Sequence, residues 1–313
     1  MPGIHITKRH SIRLEQLTHF LAILEAGSMR EAARRVGITQ PAMSKSIRML
    51  EDELQTELFT RSSRGATLTP KGSIFAIRVR AVNAELRKAH EELAHPLGGG
   101  APSITIGVGQ SSAITVVPEA LRSFRKDWPH AIVRIIEGLP ESLVPLIRDG
   151  TIDFALGGIP DNLDKGISFK PFFRSRRVVV GRKDHPLRNA VSLSELAGAD
   201  WIRTPPIEAV GGPLEDVFSS QGLTPPTALV RCDSYHTAAA LLASSDMLAL
   251  MSERQLDTPF CSMQLEAIEV KEAIPSFTVG MFARTDIPLT PAAQLLARIV
   301  AKVARRLASV ANG

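Results

Sequence analysis

The segment MREAARRVGITQPAMSKSIRMLEDEL, at residues 29–54, predicts two helices joined by a tight turn. Ser28 precedes the first helical pattern and stands three residues before Glu31, which is the spacing of a reciprocal capping box. Gly37 is typical of the left-handed residue that ends a helix, and Thr39 supplies a side-chain oxygen suited to capping the next one. The segment therefore predicts a helix-turn-helix.

The second of these helices has two chemically different faces. Its apolar side chains recur at intervals of four, three and four residues and predict a buried stripe of Met43, Ile47, Leu50 and Leu54. The opposite face carries Gln40, Pro41, Ser44, Lys45 and Arg48. Small hydrogen-bonding groups followed by longer basic ones fit close approach to base edges and anchoring to phosphates. An ordinary amphipathic helix of a three-helix bundle is the alternative, and the surrounding sequence favours DNA binding.

The flanking sequence adds a preceding helix and a following hairpin. Residues 14–25 place leucines at helical spacing and end before Gly27. In residues 58–72, LFTRSSRGATLTPKG, Arg61 and Arg64 flank two serines ahead of a β-prone triplet. A hairpin with a basic tip can follow the DNA backbone or enter the minor groove, although alone such a motif is only a polar turn. The predicted DNA-binding set is Ser28, Gln40, Pro41, Ser44, Lys45, Arg48, Arg61 and Arg64.

The net charge is concentrated at one end of the chain. Of the 37 basic and 32 acidic residues, 15 and 10 lie within residues 1–95, which leaves 22 of each in the remainder. The whole formal charge of +5 therefore belongs to the first third. Basic excess confined to a small domain is typical of a protein that binds phosphate backbones, and a solvated basic face is the common alternative.

The composition excludes several other classes of protein. With 313 residues, 44% of them apolar and 22% charged, the chain is expected to form two or three globular units. No apolar run approaches the roughly 20 residues of a membrane-spanning helix. Residues 1–16 lack the apolar core of a secretory signal, so we expect a cytoplasmic protein with no membrane partner. Cys232 and Cys261 have no zinc-ligand neighbours in sequence and are interpreted as buried thiols rather than a redox pair, and we expect neither metal nor cofactor.

A long helical pattern at residues 71–94 follows the hairpin. Its apolar residues recur at alternating intervals of four and three, the spacing of a two-helix seam: Phe75, Val79, Val82, Leu86, Ala89 and Leu93. Self-association would supply the two DNA-binding modules that useful affinity requires, and packing of this helix on its own domain is the alternative. The glycines and prolines of residues 95–103 then end the helix.

Beyond this break the pattern changes to short β-branched runs separated by helices. Strands are predicted at residues 104–109, 131–138, 152–158 and 176–182. Helical patterns at residues 113–128 and 142–150 separate the first three strands. This alternation predicts an α/β fold with a largely parallel sheet.

Residues 20–72 resemble the winged helix-turn-helix of the LysR-type transcriptional regulators. The positions that match the family's core pattern are Ala32, Ala33, Gln40, Pro41, Ser44, Ile47, Leu50, Glu51, Leu54, Leu58, Phe59, Arg61, Thr69 and Gly72. Met29 departs from the aromatic residue that usually follows the Gly-Ser pair. The resemblance continues more weakly over the rest of the chain. It implies a homodimer formed by antiparallel linker helices, often assembled further into a tetramer.

The resemblance also implies a domain organisation. The predicted domains are a winged helix-turn-helix at 1–70, a linker (dimerisation) helix at 71–95, a hinge at 96–102 and an α/β effector-binding module at 103–313. This module resembles periplasmic binding proteins, in which two α/β lobes enclose a ligand cleft. We expect lobe one at about 103–172 and 275–313, and lobe two at about 173–274.

The sequence GVGQSSAITVVPEAL, at residues 107–121, predicts a strand that leads through glycines into a helix. Backbone N–H groups at the helix start, together with the hydroxyls of Ser111 and Ser112, can bind a carboxylate or another anion. Simple capping of the helix by one serine is the alternative. The family resemblance favours ligand binding, because this junction lines the effector cleft in the family.

Further effector-binding candidates follow other predicted strands. Those expected across the cleft are Thr204, Pro205, Ser234 and Tyr235, and those at its rim are Gly138, Ile159 and Pro160. A plain turn explains the first pair across the cleft equally well, and a helix cap explains the second. The serine-bearing helix start and its many small apolar neighbours together predict an anionic effector with an aromatic or short aliphatic body.

The expected function is ligand-responsive control of transcription. The expected partners are promoter DNA, a small effector and further copies of the chain, with RNA polymerase as a candidate. An enzyme on the α/β scaffold is the first alternative, but the sequence has no GxSxG, P-loop or HExxH motif, and GVGQSS lacks the third glycine of a dinucleotide site. A solute-binding protein of a transporter is the second, and it leaves the basic N-terminal third unexplained.

Overall fold

A computed structural model describes residues 12–62, 65–94, 101–159, 163, 165–204 and 212–310. The chain divides into two units, between a long helix that ends at Ala94 and a strand that begins at Ser103. Three predicted site residues, Arg64, Pro160 and Pro205, lie outside the described residues. None of the helices in the described ranges combines the length and the apolar character needed to cross a membrane.

The first unit is built from helices and one hairpin. Its described elements are α1 (Leu14–Ala26), α2 (Met29–Val36), α3 (Gln40–Leu54), β1 (Phe59–Ser62), β2 (Gly65–Leu68) and α4 (Pro70–Ala94). Gly27 and Gly37 end α1 and α2 with φ angles of 68° and 80°, a conformation that other residues rarely adopt. The hydroxyl of Ser28 accepts a hydrogen bond from the backbone of Glu31, and that of Thr39 caps α3 in the same way. The predicted helix-turn-helix is present.

The helices and the hairpin of this unit share one apolar core. The ring of Phe20 on α1 lies 5.1 Å from that of Phe59 on β1 and 5.2 Å from that of Phe75 on α4, measured between centroids. On α3 the predicted stripe has no exposed surface at Met43, Ile47 and Leu50. Leu54, its predicted last member, is half-buried. Contacts among large side chains from every element explain why α3 keeps one face inward.

The start of α4 is fixed against the hairpin by a small polar cluster. The backbone N–H of Thr69 donates to the carbonyl of Leu58 at 2.9 Å, and its hydroxyl donates to the carbonyl of Glu57 at 2.8 Å. The same hydroxyl accepts from the backbone N–H of Gly72 at 2.9 Å. A Cβ atom at Gly72 would lie 2.1 Å from the Leu58 carbonyl oxygen, so only glycine fits there.

The predicted seam of α4 divides into two parts. Phe75 and Val79 pack into the core of the first unit, as the alternative interpretation expected. Further along, Val82, Leu86 and Leu93 are 44%, 38% and 73% exposed in the single chain. Ala89 is exposed with them, so no element of the described residues covers the apolar stripe on the second half of the helix.

Lobe one of the second unit contains a five-stranded sheet in the order β4-β3-β5-β12-β6. Its elements are β3 (Ser103–Val108), α5 (Gln110–Thr115), α6 (Val117–Asp127), β4 (Ile132–Glu137), α7 (Pro140–Arg148), β5 (Phe154–Gly158), β6 (Ile167–Ser175), β12 (Phe277–Arg284) and α13 (Pro291–Val310). The helices α6 and α13 cover one face of the sheet, and α7 contributes to a separate apolar cluster. The layers are those of an α/β lobe.

Lobe two contains a second five-stranded sheet in the order β11-β7-β10-β8-β9. Its elements are β7 (Arg177–Arg182), α8 (Leu193–Leu196), β8 (Asp200–Arg203), α9 (Pro213–Ser219), β9 (Ala228–Arg231), α10 (Tyr235–Ser244), β10 (Met247–Ser252), α11 (Glu253–Leu256), α12 (Pro259–Gln264) and β11 (Leu265–Ile268). The predicted fold class, two α/β lobes preceded by a winged helix-turn-helix and a long helix, is confirmed.

The chain passes between the lobes twice. Only Arg176 separates β6 in lobe one from β7 in lobe two, and residues 269–276 return the chain from β11 to β12. In the ladder between β6 and β12, Ser175 pairs with Phe277, so both crossings lie side by side.

Two predictions for these lobes were wrong in detail. The helix expected at residues 113–128 is two helices, because Pro118 in the first turn of α6 has no N–H with which to continue the hydrogen bonding of α5. The sheets are mixed rather than largely parallel: β12 runs antiparallel to β5 and β6, and β7 runs antiparallel to β10 and β11. The antiparallel strands are those next to the crossings. The chain forms β7 when it enters lobe two from lobe one, and it forms β12 when it returns to lobe one.

Candidate DNA-binding surface and effector cleft

The outer face of α3 presents the side chains predicted to contact DNA. Gln40, Pro41, Lys45 and Arg48 are exposed, and Ser44 is half-buried among them. Within the described part of the chain, neither Lys45 nor Arg48 forms a hydrogen bond or an ion pair. Two uncommitted cations on one exposed helix face are available to bind phosphates.

The basic side chains of α2 are in a different situation. Arg34 and Arg35 contact the carboxylate of Glu31 at 2.7 Å and 3.1 Å. Hydrogen bonds from these guanidinium groups lower the pKa of Glu31 to about 2. The predicted reciprocal capping box is therefore only half formed: Ser28 caps the backbone, whereas the Glu31 carboxylate binds two cations, which hydrogen-bond to it more strongly than a neutral amide does. Ser28 itself is half-buried at the start of α2.

The end of the hairpin beside its turn is joined to the turn between α1 and α2. The N–H of Ala66 donates to the carbonyl of Gly27 at 3.0 Å. A Cβ atom at Gly65 would lie 2.4 Å from that carbonyl, and Gly65 has a φ of 125°. Arg61 lies on β1 opposite Ala66, while Arg64 lies outside the described residues. The wing is thus attached to the helix-turn-helix at the start of β2, beside the hairpin turn.

A cleft of about 710 Å³ lies between the two lobes of the second unit. Lobe one contributes the start of α5, the start of α7 and the segment after β5, and lobe two contributes the end of β10 and the starts of α9 and α11. Five of the predicted effector-binding residues line it: Ser111, Ser112, Gly138, Ile159 and Thr204. The sequence therefore placed residues from separate strand ends in the same cavity.

Serine hydroxyls link the two lobes at the inner end of this cleft. Ser111 Oγ donates to Ser252 Oγ at 3.3 Å, and Ser252 Oγ lies 2.7 Å from Ser175 Oγ. Beside them, Gln110 Nε2 of lobe one donates to the Asp233 carbonyl of lobe two at 2.7 Å. These contacts hold the lobes together through side chains that also line the cleft or adjoin it.

Arg177 is a cleft residue that sequence reasoning missed. Its guanidinium lies 4.5 Å from the centre of the Phe277 ring and donates to the Pro275 carbonyl at 3.2 Å. Burial lowers the pKa of Arg177, and the negative charge of Asp216 partly offsets that effect. The available signal in the sequence was a cation at the first residue of β7, next to the crossing between the lobes. Its partners Pro275 and Phe277, however, lie far away along the chain.

Two predicted residues are absent from the described lining. The hydroxyl of Ser234 accepts from the N–H of Thr237 and caps α10, which is the role the alternative interpretation gave it. The hydroxyl of Tyr235 lies 2.7 Å from Cys261 Sγ in the core of lobe two, where burial raises the pKa of the phenol. Cys232 and Cys261 are both buried, and no cluster of metal-binding side chains occurs among the described residues.

Comparison with known proteins identifies the family. Residues 14–73 match the family described as "Bacterial regulatory helix-turn-helix protein, lysR family", and residues 98–305 match "LysR substrate binding domain". The HTH-type transcriptional regulator TdcA of Escherichia coli K12 is 27% identical over 264 residues, which cover 84% of each chain. GbpR of Azospirillum brasilense is 26% identical over 289 residues, which cover 90% of this chain and 84% of that protein.

Solved structures share the fold over nearly the whole length. A full-length cysteine-to-aspartate variant of OxyR from Pseudomonas aeruginosa superposes with a TM-score of 0.67 at 21% identity, covering 96% of this chain and 97% of that one. CbnR in complex with its target DNA gives 0.66 at 17% identity, covering 93% and 99%. The chain therefore belongs to the LysR family: it is a DNA-binding transcriptional regulator with an effector-binding domain, and not an enzyme.

Proposed function

We propose that this regulator responds to a small effector that carries a carboxylate, bound in the cleft between the lobes. The observation that supports the proposal is Arg177, the only cation among the described residues that line the cleft. Its guanidinium is partly desolvated against Phe277, and an anion gains more from a desolvated cation than from one in bulk water. Hydroxyls from both lobes lie on the same wall.

Two carboxylates also line the cleft, and their negative charges repel an anionic effector. Glu141 and Asp216 are, however, exposed, so water and salt screen their repulsion of an anion. Arg177 is half-buried, and its attraction is screened less. We therefore assign the anionic group of the effector to the inner end of the cleft, near Arg177, and its uncharged body to the outer part.

We further propose how the first unit reads DNA. Gln40, Pro41, Ser44 and Lys45 lie at the N-terminal end of α3 and contact base edges in the major groove, while Arg48 anchors a phosphate. Ser28 at the start of α2 and Arg61 on the hairpin contact the backbone on either side. A second copy of the chain, joined through the exposed stripe of α4, supplies the other half-site. The effector acts by changing the population of lobe arrangements, and hence the geometry of the paired modules.

A mobility-shift assay on the intergenic DNA beside the gene tests the proposal. The probes are acetate, succinate, benzoate and their primary amides. We expect retardation of the DNA, altered by at least one carboxylate and not by the matching amide, and loss of that response in Arg177→Gln. Arg125→Gln, an exposed position on α6, is the control. No retardation at moderate salt, or an undiminished response in Arg177→Gln, would contradict the proposal.

A further inference from the structure

A buried arginine of lobe two lies on a phenylalanine ring of lobe one. Arg254 of α11 is 7% exposed, and its guanidinium carbon lies 4.7 Å from the centre of the Phe173 ring on β6. Phe173 is equally buried and belongs to the main apolar core of lobe one. The contact therefore joins the core of one lobe to a helix of the other.

The Phe173 ring is the only partner for the charge of Arg254 within the described residues. Arg254 forms no hydrogen bond and no ion pair with them, and its Nε is buried without an acceptor. The neighbouring carboxylate of Glu253 contacts Arg176 instead, at 3.6 Å. A buried cation without hydrogen bonds loses free energy of hydration, and a cation–π contact offsets a cost of similar size. Arg254 therefore depends on the ring to remain buried.

The contact lies away from the two chain crossings. In the ladder of β6 and β12, Ser175 stands opposite Phe277 beside the crossings, and Phe173 is two residues further from them on the same face of the sheet. Arg254 likewise follows Ser252 by two residues, and the Ser252 hydroxyl lies 2.7 Å from that of Ser175. Rotation of the lobes about the crossings changes distances least beside them. The contact of Arg254 with Phe173 is therefore more sensitive to rotation than the serine pair.

Neither Arg254 nor Phe173 lines the effector cleft, although Ser252 and Gln255 near Arg254 do. We propose that Arg254 is a positioning residue, whose contact with Phe173 stabilises the arrangement of the lobes in this structure and whose loss releases their rotation. A variant at this contact can therefore alter the lobes without removing a group that lines the cleft. The inference rests on the proposed function in one respect, namely that the arrangement of the lobes controls the DNA-binding modules.

The test measures the distance between the lobes in full-length protein without effector. Ser123→Cys on α6 and Ser244→Cys on α10, both at exposed positions, carry spin labels for pulsed electron paramagnetic resonance, while the native cysteines are buried. In this background Phe173→Leu keeps an apolar side chain and removes the ring. Arg254→Met keeps a side chain of similar length and removes the charge, and the double variant combines both changes.

We expect Phe173→Leu to add a second distance and to change the ratio of the two lobe arrangements by about tenfold or more, because the cation then lacks its ring and gains water only when the lobes rotate. Arg254→Met should keep the wild-type distance, since an uncharged side chain packs on the ring without losing hydration. The double variant should return to the wild-type distance. A merely structural role of Phe173 would not produce this recovery.

A second variant leaves the core of lobe one intact and decides the question if Phe173→Leu does not fold. Arg254→Gln removes the cation and buries an amide that has no cation–π contact to offset its lost hydration, so it should also add the second distance. Arg231→Gln, the same substitution at an exposed position on β9, is the control and should keep the wild-type distance. Circular dichroism and Tm verify the folding of each variant.

The outcomes separate this inference from the proposed function. If Phe173→Leu and Arg254→Gln both keep the wild-type distance, the contact does not set the arrangement of the lobes and the inference is overturned. If the double variant stays as open as Phe173→Leu, the change came from the core of lobe one and the inference is overturned as well. Bending of the intergenic DNA is measured by circular permutation. If the lobe distance changes as expected and bending does not, the inference stands and control of the DNA-binding modules by the lobes is wrong.

Discussion

At the scale of single residues, Lys45 and Arg48 differ from Arg34 and Arg35 on the preceding helix. Arg34 and Arg35 are already paired with Glu31, whereas the two cations of α3 have no partner within the described residues. Binding to a phosphate by Arg34 or Arg35 would have to compete with an existing ion pair. Phosphate affinity should therefore depend more on the cations of α3 than on Arg34 and Arg35.

We predict that Arg48→Ala weakens DNA binding to a similar extent on all sequences. Each phosphate that a cation neutralises adds about 0.9 to the slope of log affinity against log salt concentration, so the slope of this variant should be smaller by about one. Fluorescence anisotropy at several KCl concentrations measures both quantities. Arg125→Ala on α6 should leave them unchanged, and a normal slope in Arg48→Ala would remove this residue from the interface.

Gly72 shows how one missing side chain positions a helix. A methyl group there would meet the carbonyl of Leu58 at 2.1 Å, so α4 would have to move away from the hairpin. We predict that Gly72→Ala destabilises the first unit by about 1–3 kcal/mol, the usual cost of overpacking. Urea unfolding followed by circular dichroism measures it. Gly198→Ala, where nothing lies within 4 Å, is the control and should change stability little.

At the scale of elements, the second half of α4 has the most consequential exposed surface. Its stripe of Val82, Leu86, Ala89 and Leu93 is exposed in the single chain. An apolar stripe of this period is stabilised when a second helix covers it. The same helix buries Phe75 and Val79 in its own domain, which ties the stripe to the position of the DNA-binding module.

We predict that Leu86→Asp shifts the protein toward the monomer and lowers its affinity for DNA. A carboxylate at this seam would have to lose its water on association, so the dimer dissociation constant should rise about tenfold or more. Light scattering after size-exclusion chromatography measures the mass. Ile74→Asp, 67% exposed and off the seam, should keep the wild-type mass. A fully dimeric Leu86→Asp would show that the seam lies elsewhere.

Elements set by local chemistry could be predicted closely from the sequence. Gly27 and Gly37 determine where α1 and α2 end, and Thr39 determines where α3 begins. These positions could be predicted because capping depends on neighbours within a few residues. The pairing of strands could not be predicted, since β12 pairs with β5 only after the chain has passed through the whole of lobe two. Ser111 and Ser112 were found because a strand-to-helix junction is a local signal, whereas Arg177 was missed because its partners are distant along the chain.

At the scale of the whole molecule, the effector must alter what the helix-turn-helix does from a separate unit of the chain. Ser111 and Ser112 lie on the wall of the cleft and outside the DNA-binding unit. Their removal should therefore affect the response to the effector and not DNA binding itself. This distinction separates a defect in sensing from a defect in folding.

We predict that the double variant Ser111→Ala with Ser112→Ala retains wild-type DNA affinity in the absence of effector and loses the change that a carboxylate produces. Ser111→Ala breaks the contact with Ser252, and Ser112→Ala removes a donor from the cleft. Titration of labelled DNA with and without the carboxylate measures both. Ser123→Ala, exposed on α6, is the control. An unchanged response in the double variant would place the effector elsewhere.

The two chain crossings determine what kind of motion an effector can produce. Arg176 alone carries the chain out of lobe one, and Ser175, immediately before it, is paired with the strand that begins at Phe277 on the return. Two chain crossings that lie side by side form a hinge between the lobes. Because both crossings leave lobe one at the same place, sliding or separation of the lobes would have to stretch the one-residue connection at Arg176, whereas rotation about the crossings would not. On the proposed function, an effector in the cleft would therefore act on the angle between the lobes, and a graded dose would change the fraction of molecules at each angle rather than the angle itself.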